Sequence, residues 1–316
     1  MKTPKDSPFH LFLERQGVMI LDGGLATELE AAGADLSGDL WSARLLAADP
    51  ARIRSAHLAF LEAGADCIVS ASYQATVAGF VQDGCSPEEA EALVLLSVEL
   101  AVQTRDLFWS GIRGGESRIR PLVAASIGPY GAYLADGSEY TGRYAIGEEE
   151  LYRFHKSRWD LLAAAGADLL ACETIPSLME TGVLCRLMEE CPGPGAWFTF
   201  SCRDGRHLRD GSELGEAVRM VSGLPGVAGV GVNCVDPAQA PAMIRTVKAH
   251  SSLPILVYPN SGERWDAGNR CWAGSRDDFQ AEVWVEAGAS LIGGCCRVGP
   301  EEIRRIRAAL LATPLA

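Results

Sequence analysis

Ala63-Gly64-Ala65-Asp66-Cys67-Ile68-Val69 closes a helical stretch and opens an apolar one within a few residues. Its first four letters recur as Ala165-Gly166-Ala167-Asp168 and, with serine last, as Ala287-Gly288-Ala289-Ser290. A glycine directly after a helical pattern suits the left-handed residue that ends a helix. The apolar run behind it suits a buried strand. Working outward from this unit, strand-like runs stand at residues 18–21, 66–69, 122–125, 169–171, 197–200, 227–232, 255–258 and 291–292. Helical periodicity fills the intervals, as over 87–109 and 148–165. Eight apolar strands alternating with helices in 316 residues is the count of an α/β closed (β/α)8 barrel, a TIM barrel. We expect one domain over 1–316, with residues 1–10 as a loose leading segment. An open doubly wound sheet is the competitor, but Asp22-Gly23-Gly24 after the first strand does not continue into a G-x-G-x-x-G turn.

The composition, 48% hydrophobic and 22% charged, is that of a water-soluble globular chain. No unbroken apolar stretch approaches the roughly 18 residues of a membrane helix. The polar first fifteen residues lack the apolar segment of a secretory leader. Ten irregularly spaced cysteines do not form a secreted disulfide framework, so a cytoplasmic location with free thiols is expected. A net charge of −13 repels a phosphate backbone, and no Lys/Arg stripe with interleaved aromatics offsets it. The expected partners are small molecules, with neither nucleic acid nor membrane among them.

In a barrel of this kind the active site lies at the C-terminal ends of the strands. Asp22, Gln74, Glu173, Asn233, Cys234, Cys295 and Cys296 would then meet at one mouth. The last strand runs Leu291-Ile292-Gly293-Gly294-Cys295-Cys296-Arg297. Neighbouring side chains of a strand point to opposite faces, so two adjacent cysteines share one metal only if the chain leaves the strand before them. Gly293-Gly294 would supply the backbone freedom for that departure. The run 227–232 ends comparably in Asn233-Cys234. Three thiols at two strand ends match a zinc site that keeps its fourth position open. The competing readings are cysteines packed as small hydrophobes, or a vicinal disulfide at Cys295-Cys296.

By position, Cys67, Cys85, Cys185 and Cys191 read as packing, and Cys202 and Cys271 stay undecided. Asp22 and Glu173 have a second reading as helix N-caps. Long loops at 130–144, 203–215 and 259–277, the last carrying Trp265 and Trp272, are expected to form a lid over the mouth.

Taken together, the sequence resembles the homocysteine S-methyltransferase family. The resemblance is carried by Leu21-Asp22-Gly23-Gly24, Ala71-Ser72-Tyr73-Gln74-Ala75, Gly128-Pro129-Tyr130-Gly131, Cys172-Glu173-Thr174, Gly231-Val232-Asn233-Cys234 and Gly293-Gly294-Cys295-Cys296, in family order over nearly the whole chain. Trp41-Ser42-Ala43, the run 131–140 and the run 257–263 make it most similar to bacterial members that use S-methylmethionine. Relatives that use betaine or cobalamin share the cysteines, and no corrinoid-binding module is expected here.

The resemblance implies Zn2+ held by Cys234, Cys295 and Cys296, and Asp22 and Glu173 holding the homocysteine ammonium. Gln74, Tyr130 and Asn233 are further substrate-binding candidates. The implied reaction moves a methyl group from a sulfonium donor, S-methylmethionine or alternatively S-adenosylmethionine, to the homocysteine thiolate and yields methionine. No side chain is expected to act as the nucleophile, since metal coordination deprotonates the substrate thiol. Aromatic faces favour a cation, and Tyr130, Tyr133, Trp41 and Tyr73 are the candidates. A phosphate-binding barrel lyase would need a basic residue at a strand end, and no lysine stands there. A thiol-sensing zinc protein would need a fourth protein ligand, and no further Cys or His sits at an obvious strand end.

Overall fold

The computed structural model describes residues 7–36, 40–112, 118–191, 193–266, 271–274 and 279–311, leaving aside the side chains of 264–266 and 271–273. In chain order its strands are β1 (Met19–Ile20), β2 (Cys67–Val69), β3 (Leu122–Ile127), β4 (Leu169–Ile175), β5 (Ala196–Phe200), β6 (Val227–Asn233), β7 (Ile255–Tyr258), β8 (Arg264–Asp266), β9 (Cys271–Ala273) and β10 (Leu291–Ile292). Eight of them form one parallel sheet in the order β1-β10-β7-β6-β5-β4-β3-β2. Leu21 bridges Cys67 in parallel, and the Asp66 N–H donates to Ile20 O, which joins the two ends of the sheet. The (β/α)8 barrel expected from the sequence is the fold. β8 and β9 form an antiparallel hairpin in the loop after β7. Among the described residues, no helix is long and apolar enough to cross a membrane.

Gly64, Gly166 and Gly288 have φ of 108°, 85° and 125°, so the repeat that opened the reading does turn each helix towards its strand through a left-handed residue. Each barrel strand is buried on both faces, and its residues divide by period two. Ile20, Ile68, Val123, Leu170, Phe198, Val230, Val232, Val257 and Ile292 face the helical layer. Met19, Leu21, Cys67, Ala124, Leu169, Ala171, Trp197, Leu256 and Leu291 fill the barrel interior. In β6 the valines point outward and glycines inward. A Cβ on Gly229 would stand 2.7 Å from Leu256 Cδ1 and 3.2 Å from Phe9 Cε2, and one on Gly231 would meet Leu256 O at 1.9 Å. The glycines therefore leave the interior to larger neighbours.

Phe9 and Phe12 belong to that interior cluster, and the Phe9 ring centroid lies 6.3 Å from that of Trp197. Of the segment 1–10 expected to be loose, residues 7–10 are packed: the apolar lower end of the barrel needs a plug, and Phe9 supplies it. Residues 1–6 lie outside the described residues. Towards the opposite end the inward positions turn polar, at Ser126, Glu173, Thr199 and Tyr258. That change from apolar floor to polar rim sets the position of the site.

Candidate metal and substrate site

β6 ends at Asn233, and Cys234 follows with φ 52° while its N–H donates to Tyr258 O at 3.2 Å. This left-handed residue swings the thiol over the mouth. β10 ends at Ile292 and the chain then runs across its neighbours, Gly293 N–H to Val257 O at 3.1 Å, Gly294 N–H to Asp22 O at 3.0 Å and Cys295 N–H to Pro259 O at 2.8 Å. The departure from the strand is as expected, but the glycines serve it differently. Neither has a left-handed φ; a Cβ on Gly293 would meet Asp22 O at 2.6 Å and one on Gly294 would meet Val298 Cγ1 at 2.1 Å. They permit close approach, and the left-handed turn falls at Arg297, φ 66°.

The result is a triad of sulfurs. Cys234 Sγ and Cys296 Sγ are 4.0 Å apart, Cys295 Sγ and Cys296 Sγ 3.9 Å, and all three lie within 4.8 Å of one another. Among the described residues this is the group of His, Cys, Asp and Glu side chains arranged to hold a metal ion. A tetrahedral ion with Zn–S bonds of about 2.3 Å sets sulfurs about 3.8 Å apart, so the donor set fits. The S–H groups of Cys295 and Cys296 hold the Cys234 thiol well below the ordinary thiol value, and their own values are pushed up. The cluster thus favours the Cys234 thiolate, a charge that a cation would balance.

Two carboxyls sit beside it. Glu173, on an inward position of β4, accepts from Ser126 Oγ and from Tyr258 OH at 3.2 Å. Tyr258 OH in turn meets Thr199 Oγ1 at 2.6 Å and accepts from Trp197 Nε1 at 3.2 Å. Burial pushes Glu173 up to about 7 against these hydrogen bonds, with the Cys234 charge adding to the rise. Asp22 Oδ2 accepts from Val69 N–H at 2.7 Å. Burial also raises Asp22 well above its ordinary value, and the nearby Glu173 raises it further. Two crowded, desolvated carboxyls favour a cationic guest.

Asn233 takes another part. Its Oδ1 accepts from Thr174 N–H at 2.7 Å and its Nδ2 donates to Thr174 Oγ1 at 2.7 Å, bracing a Thr174 whose φ is 62°. Through both amide atoms Asn233 braces Thr174, with a second N–H left on Nδ2. Gln74 Nε2 donates to Ala132 O at 2.8 Å, while its Oε1 is buried without a partner. The Tyr130 ring packs against Tyr133, Tyr144 and Phe154, with centroids 5.7, 5.3 and 4.8 Å away, so it is held within an aromatic cluster.

The 130–144 loop folds as the helix Tyr130–Leu134 and the 3-10 turn Ser138–Tyr140. Tyr140 feels the charge of Cys234 first, then burial, Cys296, Glu139 and Cys295, all of which raise its phenol. The Arg209 guanidinium, from the 203–215 loop, stands 5.7 Å from the Tyr140 ring centroid and lowers the Cys234 thiol. The Trp265 and Trp272 side chains lie outside the described residues. The profile of the family described as homocysteine S-methyltransferase matches residues 19–310. A homocysteine S-methyltransferase of Bacillus subtilis, YbgG, is 45% identical over 96% of this chain and 97% of its own, and one of Escherichia coli is 42% identical over 96% and 99%. The crystal structure of the metallated form of the E. coli homocysteine methyltransferase MmuM matches with a TM-score of 0.85, at 42% identity over 96% of this chain and 99% of that one.

This chain belongs to the homocysteine S-methyltransferase family. It is an enzyme of methyl transfer to homocysteine, as the resemblance in its strand ends implied. Several residues of this homocysteine S-methyltransferase fold escaped the sequence reading. Arg158 donates to Gly128 O at 3.1 Å, Ser72 O at 2.9 Å and Tyr73 O at 3.1 Å, fixing the loops after β2 and β3. Glu180 accepts from Tyr130 N–H at 2.6 Å and Tyr144 OH at 2.8 Å and meets His155 Nε2 at 2.7 Å, so one buried carboxylate ties both ends of the lid loop. Tyr258 had a readable signal, as the last inward position of β7.

Proposed function

We propose that the enzyme moves a methyl group from S-methylmethionine to L-homocysteine with the help of a zinc ion held by Cys234, Cys295 and Cys296. The observation that carries this reading is the sulfur triad itself, whose spacings suit a tetrahedral dication at the mouth of the barrel. That the E. coli homocysteine methyltransferase MmuM has a metallated form supports metal binding. Zinc, when bound, keeps the incoming homocysteine sulfur ionised at neutral pH.

The chain's own residues do the rest. Asp22 and Glu173 receive the homocysteine ammonium, and Ser126 and Tyr258 hold the Glu173 carboxylate in place for it. Tyr73 and Tyr140 lie within electrostatic reach of the sulfurs, and an aromatic face there suits a sulfonium. The thiolate attacks the methyl carbon, the new C–S bond forms as the old one breaks, and the electron pair leaves with the departing sulfur. Because attack is in line, rate depends on how well these groups position two substrates. A reducing cytoplasm suits three free thiols.

The test is a donor panel with homocysteine, following methionine with and without a chelator. Chelator-sensitive methionine formation, highest with S-methylmethionine, is the expected result. No methionine from any sulfonium would refute the proposal.

A further inference from the structure

Two buried acceptors at the mouth, one of them within electrostatic reach of Cys234, have no donor. Glu139 Oε2 is enclosed and unpartnered, and so is Gln74 Oε1. Gln74 is tied through its Nε2 to Ala132 O at 2.8 Å, on the short helix that leads to Glu139. An enclosed oxygen without a hydrogen-bond donor is unfavourable, and an ionised carboxylate can only accept. A guest with N–H groups and a positive charge is what would relieve both.

The other acids of the mouth are already accounted for: Asp22 accepts from Val69 N–H, and Glu173 from Ser126 and Tyr258. Glu139 differs: besides its own backbone N–H, the groups that act on it are Cys234 and Asp136, and its Oε2 accepts from none. It precedes Tyr140, which lies among Cys234, Cys295 and Cys296, and it is within electrostatic reach of Cys234 and Tyr73. It is therefore on the lid side of the sulfurs, where the methyl donor has to approach.

We infer that Glu139 receives the α-ammonium of the methyl donor and so selects sulfonium compounds that are amino acids. This rests on the sulfonium reading above. S-Methylmethionine carries an ammonium four bonds from its sulfonium, so one end can sit against the aromatic faces while the other meets Glu139. Gln74 Oε1 takes a second N–H of the same group. A sulfonium with only a carboxylate, such as dimethylsulfonioacetate, brings no donor to Glu139 and sets a like charge before it.

Steady-state kinetics of Glu139→Gln with both donors test this. With S-methylmethionine, KM rises by roughly tenfold or more, the worth of one charge-assisted hydrogen bond, while kcat stays within about threefold. The KM for homocysteine does not move, and with dimethylsulfonioacetate KM stays level or falls. Glu139→Asp, which keeps the charge, retains more of the preference for S-methylmethionine than Glu139→Gln and carries the same comparison if the glutamine variant misfolds. An equal loss with both donors, or a shift confined to the homocysteine KM, overturns the inference while leaving the methyl-transfer reading intact. Wild-type enzyme that makes no methionine from either donor refutes that reading and takes this inference with it.

Discussion

Replacing Asn233 with alanine tests whether the bend that carries Cys234 is held from outside or holds itself. Asn233 is fully buried and Thr174 is 2% exposed, and the two share hydrogen bonds of 2.7 Å at Oδ1 and 2.7 Å at Nδ2. Two such bonds contribute about 1 kcal/mol each, and stranding the buried Thr174 N–H costs on the order of 1–3 kcal/mol. Thr174 is β-branched at φ 62°, a conformation that costs about 1–2 kcal/mol. Once released it recovers part of that by relaxing. The net loss for Asn233→Ala is then about 3 kcal/mol, read as a lower urea midpoint for the metal-free protein with the slope unchanged. Because Cys234 is the next residue, zinc affinity measured against a chelator is expected to fall roughly tenfold, together with turnover. A destabilisation below about 1 kcal/mol with unchanged zinc affinity would show that the bend needs no brace, and the reasoning would fail.

Three further outcomes follow from the same geometry. Cys296→Ser removes one of the sulfurs; if binding near 10–16 kcal/mol is shared by four ligands, the loss is about 3 kcal/mol, and competition with a chelator shows roughly a hundred- to thousandfold weaker zinc. In the metal-free, ligand-free protein Glu173 is pushed up to about 7 from 4.5, so the folded state binds its proton more tightly than the unfolded one. That contribution is complete below 4.5 and lost as pH rises to 7, a fall of about 3 kcal/mol that denaturation midpoints of Glu173→Gln do not show. Phe9→Ala opens the plug at the lower end of the barrel and is expected to cost about 3–5 kcal/mol in urea unfolding, with kinetic constants of the remaining folded enzyme unchanged.

The barrel was legible because strands buried on both faces must be apolar throughout, and because a helix that turns straight into a strand needs a left-handed residue, supplied at Gly64, Gly166 and Gly288. The cysteines were legible for a related reason: residues just past an apolar run lie at the mouth whichever loop follows. What stayed hidden depends on pairing across long sequence distances. Arg158 and His155 sit on the helix Glu148–Ala164 among residues with ordinary helical spacing, and only the fold brings them to Tyr73 and Glu180. For Asn233 and Tyr130, read as substrate-binding candidates, position says which end of the barrel a residue occupies but not that Asn233 also braces Thr174 or that the Tyr130 ring packs on Tyr133, Tyr144 and Phe154. Gly293 and Gly294 were read as hinges, but a close approach to Asp22 and Val298 leaves the same residue type in sequence as a left-handed turn does.

Three left-handed turns at the strand ends of the site fall on side-chain-bearing residues: Thr174 in the bulge of β4, Cys234 after β6 and Arg297 after β10. Each conformation is unfavourable for a residue with a Cβ and persists only where surroundings enforce it. Those surroundings are visible, with Asn233 on Thr174, Tyr258 O on the Cys234 N–H and Thr27 Oγ1 on the Arg297 N–H at 2.8 Å. A strand that simply ran on would alternate its side chains and scatter the three sulfurs. Bending sharply past the strands gathers them within 4.8 Å, so the strain is the physical counterpart of the ligand cluster. Substituting glycine at Cys234 or Arg297 would ease the backbone, yet at Cys234 it would remove a ligand. The chain therefore keeps a costly conformation where its chemistry needs a side chain, and holds it with hydrogen bonds from distant segments.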